Sequence, residues 1–75
     1  MAVAGAMTAA YRLSMRGGPR PHVDKTTFPS NECTPPDVAV NLLRERALTA
    51  NAMPVIVQGS DMTAFWRRWG EVSGE

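Results

Sequence analysis

The chain has 75 residues, 44% of them hydrophobic, and a formal net charge of +1. A chain this short makes a single domain and buries only roughly 60% of the surface its unfolded form exposes, so its core is thin and an oligomer or a larger host would add usefully to its stability. One cysteine, Cys33, and one histidine, His22, exclude an intrachain disulfide and a multi-ligand zinc site.

Cysteine usage suits a cytoplasmic or other reducing compartment, and nothing in the chain calls for a cofactor. The small net charge and single lysine argue against the broad cationic surface of a dedicated nucleic-acid binder. Charge is unevenly placed. Residues 1–23 carry Arg12, Arg16 and Arg20 and no acid, whereas the remainder holds all seven acidic residues. An acid-free, arginine-bearing, alanine-rich start also has the composition of an organellar targeting segment. The apolar runs "MAVAGAM" and "MPVIV" fall far short of the about 20 residues that cross a bilayer, so no membrane span is expected.

From the start of the chain, "AYRLSMR" alternates: Tyr11, Leu13 and Met15 share one parity, Arg12, Ser14 and Arg16 the other. That period predicts a half-buried strand over about residues 9–16, with Arg12 and Arg16 on its solvent face, where cations also guard an exposed edge. Val3, Met7, Tyr11 and Met15 recur every fourth residue and offer a competing helix. "GGPRP" at 17–21 breaks either element. "HVDKTTF" can return as a second strand, although neither parity is distinctly apolar, and a proline-rich loop follows at 29–36.

Thr34, Pro35, Pro36 and Asp37 read as a helix start, with threonine as the N-cap and a carboxylate among the first exposed amides. The helix is expected to run over about 35–50, burying Val40, Leu43, Ala47 and Ala39 and leaving Asp37, Asn41, Arg44 and Glu45 in water. "MPVIVQ" at 53–58 is short and β-branched, as a central strand buried on both faces would be. Ser60 is placed to cap the last helix, about 61–72. There Met62, Phe65, Trp66, Trp69 and Val72 fall on one face and Arg67 and Arg68 lie off it. The expected fold is a small α+β domain spanning 1–75, with a short sheet of two or three strands covered by two helices.

Catalytic patterns fare poorly. Cys33 and His22 are the one nucleophile and base pair on offer, and no third group is spaced to orient the base. Cys33 precedes a helix start, a position that can lower a thiol pKa. "RGGPR" lacks the lysine and hydroxyl ending of a phosphate loop, and an expected strand separates the two helices where a helix-turn-helix needs a tight turn. The expected function is therefore a non-enzymatic protein-binding module: an accessory subunit, or a modulator or inhibitor of the phage-encoded kind. Trp66, Arg67, Arg68, Trp69, Arg12 and Arg16 are its candidate contacts, because tryptophan and arginine dominate interface hot spots. Its partner would be a larger protein or further copies of the chain. Periodicity favours core packing for the two tryptophans over a free aromatic surface. The alternative function is a small nucleic-acid-binding regulator using the arginines on phosphates.

Overall fold

The computed structural model describes residues 6–15, 19–46 and 54–74. Strands β1 (Met7–Ser14), β2 (His22–Pro29) and β3 (Val55–Gln58) form one antiparallel sheet in the order β2-β1-β3. Helices α1 (Pro36–Arg46) and α2 (Met62–Ser73) complete a small α+β domain, the class expected.

The register decides which side chains face the helices, because residues directly opposite across strands point to the same face. Leu13 lies opposite Val23 and Val55, and Tyr11 opposite Lys25 and Val57. Leu13, Val55 and Val57 join Ala39, Val40, Leu43, Phe65 and Trp69 in one buried cluster. Both helices therefore cover the Leu13 face. Thr8, Ala10, Arg12 and Ser14 take the other. Ala10 is fully buried even there, since its methyl group lies between the longer side chains of Thr26 and Gln58. The strand prevails over the competing helix because β1 supplies the backbone partners of β2 on one side and β3 on the other.

Three local expectations change. "MPVIVQ" is an edge strand of four residues, not the centre of the sheet. Val55 and Val57 are buried but Ile56 and Gln58 are half-exposed, so one face only is covered. The centre is β1, which puts Arg12 in the middle of the sheet and not on an edge. Thr34 does not cap α1. Its N–H donates to the Ile56 carbonyl at 2.7 Å, sealing the outer side of β3, while the first helical bond runs from the Ala39 N–H to the Pro35 carbonyl at 2.9 Å. Ser60 likewise caps nothing. It lies within a 3-10 turn, Gly59–Asp61, that runs directly into α2, and the Met62 N–H bonds to the Gly59 carbonyl.

In α1, Ala39, Val40 and Leu43 are buried, while Asp37, Asn41, Arg44 and Glu45 are exposed. The expected stop at Ala50 and the burial of Ala47 lie outside the described residues. In α2, Phe65 and Trp69 stack one turn apart with ring centroids 6.2 Å apart at 21°. The Arg44 guanidinium donates to the Val72 carbonyl, tying α1 to the C-terminal end of α2, where exposed carbonyls favour a cation. Gly74 ends that helix at φ 75°, its N–H bonded to the Gly70 carbonyl at 3.1 Å. A side chain there would be strained in the left-handed region.

Trp69 is 4% exposed, and its buried indole Nε1 has no hydrogen-bond partner. An unmade bond of that kind costs about 1–3 kcal/mol. Trp69→Phe removes the orphan donor and keeps most of the ring, so it should destabilise by less than about 1.5 kcal/mol, whereas Trp69→Ala should cost about 3–5 kcal/mol and unfold much of the population. Urea titration measures both. Equal losses for the two variants would contradict the assignment of Trp69 to the core.

Candidate partner-binding site

The six candidate residues separate into distinct places. Trp69 belongs to the core, so the folded chain does not offer its ring to a partner. Trp66, one position after Phe65 on the same helix, is half-buried against the core. Its ring meets Phe65 edge to face at 4.9 Å and 77°. Arg67 and Arg68 continue around the helix into water, both exposed, because a step of about 100° per residue turns them away from the buried stripe. Arg68 reaches Glu71 at 3.3 Å. Both side chains are well solvated, so the pair adds little stability.

Arg12 stands apart from this group. Its parity places it on the face away from the helices, in register with Asp24 of β2 and Ile56 of β3. It therefore cannot join Arg67 and Arg68 in one patch, which would have to pass through the sheet. Arg16 lies outside the described residues. The arginine that does come to the tryptophan helix is Arg20, from the connection between β1 and β2. Its guanidinium carbon lies 4.9 Å from the Trp66 ring centroid, a cation–π distance. The site is thus Arg20, Trp66, Arg67 and Arg68: an indole in edge-to-face contact with Phe65 and with a cation over its ring.

Residues 20 and 66 are far apart in the chain, and the only sequence signal for their meeting was that each is of a type enriched at interfaces. "GGPRP" reads as a break in structure. Arg20, in the described end of that segment, lies over the Trp66 ring of α2.

The nucleophile pair is not assembled. His22 and Pro29 are opposite ends of β2, about 23 Å apart at the rise of an extended strand. Cys33 is held at the Pro29 end, its Sγ donating to the Pro29 carbonyl at 3.6 Å. His22 instead faces Asp24 at 3.4 Å. The thiol pKa is raised by burial and by the negative charges of Asp61 and Glu32, the reverse of the lowering expected from its place before a helix. Helix α1 starts only at Pro36, and burial together with the nearby carboxylates outweighs the effect of its end. No group of three or more His, Cys, Asp or Glu side chains is placed to hold a metal ion among the described residues. No described helix is long and apolar enough to cross a membrane.

Comparison with protein-family models, with curated proteins and with solved structures finds no match to this chain.

A cation over an indole shields it from small quenchers. In a Trp69→Phe background, where Trp66 is the single tryptophan and is excited selectively over Tyr11 at the red edge of its absorption, Arg20→Ala should raise the acrylamide quenching constant of Trp66 and cost about 0.5–1 kcal/mol of stability. Unchanged quenching would mean that Arg20 does not rest on the ring in solution.

Proposed function

We propose that this chain is a non-enzymatic protein-binding module, a small accessory subunit or modulator that acts by occupying a surface of a larger protein. The observation that carries this reading is the half-exposed Trp66, stacked under Arg20 and flanked by the exposed Arg67 and Arg68. Such a cluster has the composition of a binding hot spot. Its geometry adds to the chemistry. Phe65 and Arg20 restrain the indole before any partner arrives, which reduces the ordering cost of association, and the exposed Arg67, with Arg68 once it exchanges its solvated Glu71 contact, can pair with carboxylates at the rim. Inhibition would follow sterically, where the covered surface is one the partner needs.

The division of labour within α2 supports the reading further. Phe65 and Trp69 hold the helix to the sheet, so Trp66, Arg67 and Arg68 can change without removing the core. A nucleic-acid regulator is weakened by the placement of Arg12 on the opposite side of the sheet from Arg67 and Arg68, which divides the cations between two surfaces.

The test is a gentle purification of the tagged chain from its own host cells, with native mass and bound components determined, beside Trp66→Ala and Arg67→Glu/Arg68→Glu variants. A stoichiometric protein companion should co-purify with the original chain and be depleted at least tenfold with either variant, both variants keeping their circular dichroism. Nucleic acid that dissociates in high salt, in place of a protein companion, would replace this reading with the regulator.

A further inference from the structure

The sheet has two edges, and they are not alike. Their hydrogen-bonding phase follows from a single contact. The Ser30 N–H donates to the Ala6 carbonyl at 2.9 Å, and that pair continues the β1–β2 register by one step beyond Met7 and Pro29. In an antiparallel ladder, bonded pairs alternate with unbonded ones. Asp24, Thr26 and Phe28 of β2 therefore direct their backbone groups inward to β1, and Val23, Lys25, Thr27 and Pro29 direct theirs outward. The same alternation carried across β1 makes Tyr11 and Leu13 bond to Val57 and Val55, which leaves the Ile56 carbonyl pointing outward. It does so, and accepts the Thr34 N–H. The β3 edge is thus engaged by the chain itself at Ile56. Along β2, no backbone group of a described residue bonds the outward groups; the Thr26 hydroxyl donates to the neighbouring Thr27 carbonyl at 3.5 Å, which leaves that oxygen a second lone pair.

The open edge is bounded and marked. Pro29 occupies an outward position, where its missing N–H removes nothing from the sheet, and Pro21, which precedes the strand, has the same parity. Between them stand Val23 and Lys25, with donor and acceptor both directed outward, and Thr27, whose N–H is directed outward and whose carbonyl also accepts from the Thr26 hydroxyl. Lys25 is at the centre and its side chain is exposed. A second copy of the chain pairing antiparallel across a two-fold axis makes the most bonds when centred on Lys25, and that register sets lysine against lysine, which is destabilising. A central lysine also deters indiscriminate strand pairing. The charge that converts this deterrent into attraction is a carboxylate on the incoming strand.

We infer that the β2 edge takes an extended segment of a partner protein as a fourth strand, with an Asp or Glu of that segment opposite Lys25. Backbone bonds to Val23, Lys25 and Thr27 supply the affinity, and the carboxylate supplies the selectivity. This surface is separate from the Trp66 cluster, so the two can act together on one partner or fail independently.

Backbone phase gives the experiment a clean variant. Thr27→Pro removes an outward donor and leaves the bonds to β1 intact, so the domain should stay folded. The probe is a capped nine-residue peptide of alternating valine and threonine with a central glutamate, together with its lysine counterpart, titrated into the isotope-labelled chain and followed by amide shifts. The glutamate peptide should move the Val23, Lys25 and Thr27 amides and bind roughly fivefold more tightly than the lysine peptide. Lys25→Glu should reverse that order, and Thr27→Pro should abolish binding with the rest of the spectrum preserved. Trp66→Ala should leave peptide binding unchanged, which separates this edge from the tryptophan site. Equal binding of the two peptides, shifts elsewhere, no shifts at millimolar peptide, or concentration-dependent shifts of the same three amides without peptide would each overturn the inference, the last in favour of a second copy.

Discussion

Strand β1 is the constraint on which the rest of this fold depends. It is the only described strand with a neighbour on each side, and it spends its two sets of backbone groups on different partners: Thr8, Ala10, Arg12 and Ser14 toward β2, Tyr11 and Leu13 toward β3. Its two side-chain parities are equally divided. Leu13 enters the core under both helices, whereas Ala10 and Arg12 face away. A shift of one residue would exchange these sets and place an arginine in the core, so the register is strongly specified.

From that register the placement of the described functional candidates follows. Leu13, Val55 and Val57 give Phe65 and Trp69 a surface to rest on, and their burial fixes the rotation of α2 about its axis. With the rotation fixed, Trp66 comes to the margin of the core and Arg67 and Arg68 come to water. The connection after β1 brings Arg20 over the Trp66 ring. On the other side of the sheet, the same strand places Arg12 beside Asp24, out of reach of the tryptophan helix. The candidate contacts Trp66, Arg67 and Arg68 thus lie at the margin of a thin core, and the proposed recognition is one of surface contact.

Several parts of this arrangement were legible in the sequence. The alternation through Tyr11 and Leu13 marks β1, and the apolar residues of α2 fall on one helical stripe, which identifies Phe65 and Trp69 as core despite their type. The paired prolines mark the start of α1 to within a residue. What local pattern did not carry is topology. Val55 to Val57 reads as a strand buried on both faces because β-branched residues are adjacent, yet Ile56 is covered only in part, and a short edge strand sealed by the Thr34 N–H has the same composition as a central one. Thr34 is a good helix cap by type. The helix begins one residue later than its type suggests, so Pro35 takes the position before the first helical residue, and the Thr34 N–H bonds Ile56, a residue that precedes α2. The cation over Trp66 is of the same kind, a meeting between distant segments for which neither segment holds a local signal.

The alternation of inward and outward amides in β2 underlies both the stability of the sheet and the assignment of its open edge, and hydrogen exchange measured residue by residue tests it most directly. Asp24, Thr26 and Phe28 should exchange slowly, together with Tyr11 and Leu13 of β1, because their N–H groups are held in ladders. Val23, Lys25 and Thr27 should exchange at rates near those of an unstructured chain, interleaved with their protected neighbours. Uniform protection along β2 would show that its outer edge is already occupied, and protection of Val23, Lys25 and Thr27 in place of their neighbours would show that the register of the whole sheet is different.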